Sequence, residues 1–188
     1  MDTLAHAIYG ATLFSRTGLA GGLRGPVNAQ GRRIVFDWTF WTALGFGLLP
    51  DIASIGIYFT QSALNGEGIS FHALPAYVFV LYKMTHSLLV ALIGLGLIRL
   101  FWKPLSLPAL AWPFHILLDI VTHSLGRFQT PFLYPISDLA FNGISWWRHP
   151  WFIRAYWGLL LLIWLGIVMA RRRRTSKGKW ITSQHPKI

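Results

Sequence analysis

The chain contains no cysteine and few acidic residues. Without cysteine it cannot form a disulfide bond, a thiolate zinc site or a cysteine nucleophile, so any metal site must be built from His and carboxylate side chains. Only 6 residues are Asp or Glu, and charged residues of both signs make up 12% of the 188 residues. Soluble domains normally carry about 25% charged residues, so the composition argues against an ordinary water-soluble fold.

Hydrophobic residues are abundant, at 54% of the chain, and the formal net charge is +11. The basic residues are clustered, because seven of the 17 Lys and Arg follow Ala170 and four more lie between Arg16 and Arg33. Such clusters beside apolar segments are typical of the cytoplasmic ends of membrane helices. They do not indicate the basic groove that a nucleic-acid-binding protein needs, so we do not expect nucleic acid as a partner.

Four apolar stretches are long enough to cross about 30 Å of hydrocarbon, which takes roughly 20 helical residues. They are residues 38–60, 75–101, 105–125 and 152–170. The apolar segment from Leu4 to Phe14 also predicts a helix, but one too short to cross alone. We therefore expect an all-α membrane protein, a bundle of four transmembrane helices with a short N-terminal helix packed against them.

The orientation of the bundle follows from its basic loops. Residues 16–33, the segment from Arg99 to Lys103 and the residues after Ala170 are basic, whereas the 61–74 loop carries only Glu67. The positive-inside rule places the basic segments, including the C-terminus, in the cytoplasm of a multi-pass protein. We expect residues 1–170 to form one helical membrane domain and residues 171–188 to be a basic, disordered tail.

Ionisable side chains inside membrane segments are functional candidates, because burying them in hydrocarbon costs several kcal/mol unless they are paired or bind a metal. The chain places Asp51, His86, His115, Asp119 and His123 in the apolar stretches, and Asp2 and His6 on the short helix. His115, Asp119 and His123 are four residues apart, so they share one helix face. Two imidazoles and a carboxylate arranged in this way suit Zn, Mn or Fe. The alternative is a hydrogen-bonded polar ladder that only packs helices together.

The depth of these residues supports a shared site. Counted from basic residues or Trp38 at the cytoplasmic ends, His6, Asp51, His86 and Asp119 lie about 15, 20, 20 and 24 Å into the membrane at 1.5 Å per residue. They can therefore meet in one layer, which lies in the outer half of the membrane. Thr85, Ser87, Thr122 and Ser124 beside the histidines either orient the imidazoles or bond to helix carbonyls. Pro50 either frees backbone carbonyls near the site or is a passive kink.

Five short motifs, in this order and spacing, resemble those of a bacterial family. They are Asp2 to His6, Pro50-Asp51-Ile52, Thr85-His86-Ser87, the helix from His115 to Asp119, and Pro135 to Asp138. The chain resembles, over roughly residues 1–140, the LexA-binding, inner-membrane-associated hydrolases, also described as membrane-bound metal-dependent hydrolases. This resemblance implies a helical protein of the bacterial inner membrane with a His and Asp metal site and hydrolase activity.

The chain departs from the family pattern at two places. Leu81 and Tyr82 stand where the family often has His-Arg, and Ile52-Ala53-Ser54 follow Asp51 without the second acid common in such proteins. A missing acid favours one metal ion rather than two. The missing cation has three candidate replacements in the sequence, namely Lys83, Arg127 and Arg148.

These observations predict a membrane-embedded hydrolase that uses a divalent metal, Zn or Mn, to activate water. We expect His6, Asp51, His86, His115 and Asp119 as metal ligands, and His123 or Asp138 as the group that transfers protons. The depth of the site and the uncompensated basic side chains point to a lipid or lipid-linked phosphoester as substrate. One alternative is a transporter of metal ions or protons, and another is a non-catalytic scaffold that binds membrane lipids and a soluble regulatory protein.

Overall fold

The structure is a computed structural model that describes residues 1–23, 37–71 and 74–184. Apart from one isolated bridge between Pro131 and Ala140, the regular structure of these residues is helical. The helices are α1 (Thr3–Phe14), α2 (Leu19–Leu23), α3 (Trp38–Asp51), α4 (Ile57–Leu64), α5 (Ala76–Thr85), α6 (Leu88–Phe101), α7 (Ser106–Ala109), α8 (Ala111–Thr122) and α9 (Pro150–Gln184). A π-helical turn, Ile52–Gly56, joins α3 to α4.

Helix α1 begins at an N-cap, because the Asp2 carboxylate accepts a hydrogen bond from the Ala5 amide at 2.8 Å. The helix packs tightly against α3 and α8. A Cβ atom placed on Gly47 of α3 would lie 2.8 Å from the His6 carbonyl oxygen, and one on Gly10 would lie 2.9 Å from Cβ of Ala111 in α8. Glycine at these two positions therefore brings α1 close enough for His6 to enter the bundle.

Helix α3 also begins at an aspartate cap. Asp37 accepts hydrogen bonds from the Thr39 amide at 3.0 Å and the Thr17 amide at 2.8 Å, so it ties the start of α3 to the end of α1. Burial raises the pKa of the Asp37 carboxyl, but the hydrogen bonds from Thr39 and Thr17 outweigh that effect, and its pKa lies below the usual value.

The first predicted membrane segment is a continuous helical stretch from Trp38 to Leu64, 27 residues long. Pro50 does not break it. The Pro50 carbonyl oxygen accepts hydrogen bonds from the hydroxyls of Ser54 at 2.6 Å and Thr85 at 3.1 Å, while the π-helical turn follows Asp51. Side-chain hydroxyls thus satisfy the carbonyl of Pro50 itself, and the helix continues past Asp51.

The second predicted segment, 75–101, is not one straight helix. It is broken at His86 and Ser87 into α5 and α6, which are bent by 59°. Ser87 caps α6 by accepting a hydrogen bond from the Val90 amide at 3.3 Å, and the Phe132 carbonyl accepts from the Leu88 amide at 2.9 Å. The break exists because these partners satisfy amide groups that an unbroken helix would pair internally.

The remaining segments differ from the prediction mainly at their ends. Lys103–Thr122 covers the third, and its helix ends at Thr122, three residues short of the predicted boundary at 125. Pro150–Arg171 covers the fourth, but α9 continues to Gln184, so the domain boundary expected at Ala170 falls inside a helix. Lys and Arg have high helix propensity, which favours this extension of the helix into the basic segment that we expected to be disordered. Residues 185–188 of that segment lie outside the described residues.

The helical architecture expected from the sequence is therefore confirmed at the level of fold class. Within the described residues, three helical segments are long and apolar enough to cross a membrane, and a fourth is added if the bent pair α5 and α6 counts as one span. The short helix α1 packs against α3, α8 and α9 as expected. Its contacts with α9 form an apolar cluster around Tyr9, Tyr156 and Leu160.

Candidate metal centre

The five residues expected as metal ligands come together in the middle of the bundle. His6 lies on α1, Asp51 ends α3, His86 lies at the break between α5 and α6, and His115 and Asp119 lie one turn apart on α8. Side chains from four separate parts of the chain thus form one cluster, which we call the His/Asp cluster. Four of its five residues are at most 2% exposed.

Asp119 lies at the centre of this cluster. Its Oδ1 is 2.8 Å from Nε2 of His6, and its Oδ2 is 3.1 Å from Nε2 of His115 and 3.4 Å from Nε2 of His86. The amino group of Met1 also lies 2.9 Å from Asp119 Oδ1. A single buried carboxylate therefore faces three imidazoles, and the predicted convergence of His115 and Asp119 is present.

Asp51 closes the other side of the cluster. Its Oδ1 is 3.4 Å from Nε2 of His86 and 3.9 Å from Nε2 of His115. Its Oδ2 accepts a hydrogen bond from the Thr3 hydroxyl at 2.5 Å. The Asp51 side chain is 18% exposed, so it marks the open edge of the cluster.

The backbone orients two of the imidazoles. Nδ1 of His86 lies 3.0 Å from the Tyr82 carbonyl oxygen, and Nδ1 of His115 lies 2.7 Å from the Gly47 carbonyl oxygen. A carbonyl only accepts hydrogen bonds, so each Nδ1 carries the hydrogen and each Nε2 presents a lone pair to the cluster. This is the tautomer in which a metal-binding histidine uses Nε2.

The chemistry of the donor atoms fits a metal ion. Nε2 of His6, His86 and His115 is buried, and none of the three has a hydrogen-bond partner in the described part of the chain. Nε2 of His6, His115 and His86 lies 2.8, 3.1 and 3.4 Å from the Asp119 carboxylate, which is ion-pair distance, but these contacts do not have hydrogen-bond geometry. Buried polar atoms almost always have partners, so unpartnered nitrogens facing two carboxylates indicate a site for a cation.

The geometry favours one ion. In the part of the chain that the structure describes, two groups of three donors have ligand atoms within 4.8 Å of one another, namely His6, His115 and Asp119, and Asp51, His86 and His115. Both groups need His115, whose Nδ1 is already bonded to Gly47, and one nitrogen binds one ion. The four His-to-Asp separations that join His86 and His115 to Asp51 and Asp119, 3.1 to 3.9 Å, also fit neighbouring donors around one ion with bonds of about 2.1 Å.

The two residues expected to transfer protons are placed differently. Nδ1 of His123 is 3.3 Å from Asp119 Oδ1 and 3.2 Å from the Asp119 backbone carbonyl oxygen, and its side chain is 11% exposed, so His123 contacts the cluster and is slightly exposed. Asp138 forms an ion pair with Lys83 at 2.7 Å, and its side chain is 63% exposed. Its position depends on the irregular 123–149 connection, and no contact described by the structure joins it to the cluster.

Thr85, Ser87, Thr122 and Ser124, the polar residues beside the histidines, do not all have the same role. Thr85 contacts Nδ1 of His86 at 3.2 Å and Thr122 contacts Asp119 Oδ1 at 3.4 Å, although Thr85 also bonds to the Leu81 carbonyl at 2.9 Å. Ser87 instead caps α6, and Ser124 pairs with Ser145 at 2.5 Å. Of these four residues, only Thr85 and Thr122 therefore contact residues of the cluster.

Asp2 has a role that spacing alone left undecided. Its Oδ2 accepts hydrogen bonds from the Tyr156 hydroxyl at 2.5 Å and from Nε1 of Trp157 at 3.2 Å. Together with the cap on α1, these bonds attach the helix that carries His6 to α9. The cap had a sequence signal, an Asp just before an apolar helix, whereas the contacts with α9 and that of Thr3 with Asp51 had none.

The candidate replacement cations lie in other contacts. Lys83 pairs with Asp138, and Arg127 donates to the Phe71 carbonyl at 2.9 Å and lies over the Phe79 ring. Arg148 is exposed in a short 3₁₀ turn, Trp146–Arg148. The structure thus gives none of the three a described contact with the cluster.

Comparison with protein-family models, with curated proteins and with solved structures finds no match to this chain. The fold and the cluster define a helical protein with segments long enough to cross a membrane and a buried His/Asp site suited to a metal ion.

Proposed function

We propose that this protein is a membrane-embedded hydrolase that uses one divalent metal ion, Zn or Mn, held by His6, Asp51, His86, His115 and Asp119. One observation carries the proposal: three buried imidazole Nε2 atoms without hydrogen-bond partners face two carboxylates. The nitrogen and oxygen donors suit Zn²⁺ and Mn²⁺. Hydrolysis, rather than metal binding alone, is inferred from the resemblance of the sequence to membrane-bound metal-dependent hydrolases.

The chain's own residues supply the remaining parts of such a reaction. When bound, a divalent ion lowers the pKa of a coordinated water to about 7 and polarises the bond to be cleaved. His123, in contact with Asp119 and partly exposed, then moves a proton between the cluster and the outside. Asp138 is the weaker candidate for this role, because its carboxylate is paired with Lys83.

The proposed substrate is a lipid or lipid-linked phosphoester. The cluster lies among helices long and apolar enough to cross a bilayer, and Asp51 exposes its open edge. A substrate anchored in the membrane reaches such an edge without leaving the bilayer. A bulky soluble substrate would have to enter an apolar surface, which costs desolvation of its polar groups.

We further propose that the protein lies in the bacterial inner membrane with its C-terminus in the cytoplasm. The basic residues after Ala170 support this orientation. A cysteine introduced at Ser176 is expected to resist an impermeant thiol reagent in sealed cells and to react after the cells are opened. Labelling in sealed cells would reverse the orientation and, with it, the placement of the site in the outer half of the membrane.

Transport of a metal ion or protons is the second candidate function, and one observation favours it. The α5 and α6 span is broken at His86, one of the proposed ligands. Interrupted helices at ion-binding residues are typical of transporters. In proteoliposomes, metal or proton flux would support this function, and its absence together with hydrolysis would support the first.

The direct test of the proposed function is metal analysis followed by an activity assay. Detergent-purified protein is expected to contain close to one Zn or Mn ion per chain. It is expected to release inorganic phosphate from phosphatidate in mixed micelles, and chelation should abolish the release. Protein with no metal would favour the non-catalytic scaffold. Protein that binds metal but does not hydrolyse phosphatidate would contradict the hydrolase, and the flux assay would then test transport.

A further inference from the structure

Thr3 lies at the only part of the His/Asp cluster that is appreciably exposed. Its hydroxyl donates to Oδ2 of Asp51 at 2.5 Å, while Oδ1 of the same carboxylate faces the Nε2 atoms of His86 and His115. The two oxygens of Asp51 therefore have different partners. One points to the candidate metal site, and the other is held by a neutral hydroxyl from another helix.

We propose that Thr3 is a positioning residue that holds Asp51 as a one-oxygen ligand and so keeps one coordination position open at the exposed edge of the site. This inference rests on the proposed metal site. A carboxylate can bind a metal through one oxygen or through both. A hydrogen bond to Oδ2 satisfies that oxygen and holds it away from the ion, as partners of metal ligands commonly do.

The position of Thr3 is itself firmly held. Asp2 caps α1 through the Ala5 amide and is bonded to the Tyr156 hydroxyl and to Nε1 of Trp157. Because Thr3 is the next residue, these contacts hold its backbone over Asp51. The contacts of Asp2 and Thr3 thus link α9, α1 and α3 at the edge of the site.

The exposure of the ligands shows why this edge matters. The side chains of His6, His86, His115 and Asp119 are at most 2% exposed, whereas that of Asp51 is 18% exposed. A water molecule or an anionic group therefore reaches the site most directly beside Asp51. If Asp51 bound through both oxygens, it would occupy the position that an incoming group needs.

Three variants separate this positioning role from a general structural one. Thr3→Val keeps the shape of the side chain but removes the hydroxyl, and Thr3→Ser keeps the hydroxyl. Thr60→Val is the matched control, because the exposed Thr60 hydroxyl donates to the Gly56 carbonyl within its own helical segment at 2.9 Å. Each full-length protein is purified in detergent and loaded with Co²⁺, whose visible spectrum reports both metal binding and changes in coordination.

Inorganic phosphate is then titrated into each Co²⁺-loaded protein. Thr3→Val is expected to bind one Co²⁺ per chain but to bind phosphate at least about 10-fold more weakly, the lower end of the effect of altering partners of metal ligands. Thr3→Ser and Thr60→Val are expected to bind phosphate within about 2-fold of the wild type. Equal phosphate binding by Thr3→Val and the wild type would overturn the inference.

A second measurement on the wild type covers the case in which Thr3→Val does not fold. Mn²⁺ in the site is expected to enhance the relaxation of water protons, because an open position exchanges water with the solvent. A Mn²⁺-loaded wild type without this enhancement would refute the open position while leaving the metal site intact. A wild type that binds neither Co²⁺ nor Mn²⁺ would refute the proposed function itself.

Discussion

Replacing Asp119 with alanine is expected to remove nearly all divalent metal from the purified protein, with a loss of metal affinity above about 100-fold. Altering a group that only supports a ligand typically costs 10-fold to 100-fold, and Asp119 is expected to bind the ion directly. The substitution removes the carboxylate that faces His6, His86 and His115 at 2.8 to 3.4 Å. Elemental analysis of the detergent-purified protein measures the loss of metal.

Asp138→Ala provides the control for this experiment. Asp138 is also an aspartate, but it is exposed and paired with Lys83, so its removal is expected to leave the metal content unchanged. His115→Ala should resemble Asp119→Ala, because both residues contribute to the same group of donors. If a folded Asp119→Ala protein retained its metal, the cluster would be a polar ladder that joins helices, the alternative that the sequence left open.

Much of the candidate site was predictable because helix periodicity and membrane depth are both simple geometry. The four-residue spacing of His115 and Asp119 predicts that they share a face, and the structure places Nε2 of His115 3.1 Å from Asp119 Oδ2. Counting residues from the basic residues and Trp38 at the ends of the segments predicts one layer for His6, Asp51 and His86 as well. The same rise of 1.5 Å per residue in each helix is the reason that such counting gives residues of different helices a similar height.

The break at His86 and Ser87 was not predictable from periodicity. Apolar residues continue on both sides of the polar run Thr85-His86-Ser87, so the pattern from 75 to 101 predicts one span. The break depends on Phe132 and Tyr134, about 45 residues away, whose carbonyls accept from the Leu88 amide and the Ser87 hydroxyl. A partner from the irregular 123–149 connection cannot be identified before that connection is placed.

For the two proton-transfer candidates, too, helix periodicity predicts contacts only within or next to a helix. His123 lies four residues from Asp119, and the helix ends just before it, yet its ring still contacts Asp119. Asp138 does not lie on a helix, so helix periodicity could not relate it to the cluster, and only the family resemblance suggested a role for it. Its pairing with Lys83 depends on where the connection passes α5.

Replacing Gly47 with leucine is expected to destabilise the protein and to displace His6 from the cluster. A Cβ at Gly47 would lie 2.8 Å from the His6 carbonyl oxygen and 3.1 Å from Cα of Ala7, and both are backbone atoms that no side-chain rotation can move. Helix α1 must therefore shift away from α3. Overpacking of this kind typically costs 1 to 3 kcal/mol, and the shift also disturbs the Gly47 carbonyl that orients His115.

Gly45→Leu is the matched control, two residues earlier on the same helix. Gly45 is exposed, and a Cβ there would meet nothing within 4 Å. Both substitutions gain the same helix propensity, roughly 1 kcal/mol for replacing glycine, so their difference isolates the contact between α1 and α3. The thermal unfolding temperature in detergent and the metal content should both fall for Gly47→Leu and remain near wild type for Gly45→Leu. Equal stability and metal content in the two variants would mean that α1 does not pack against α3, and His6 would then leave the set of proposed ligands.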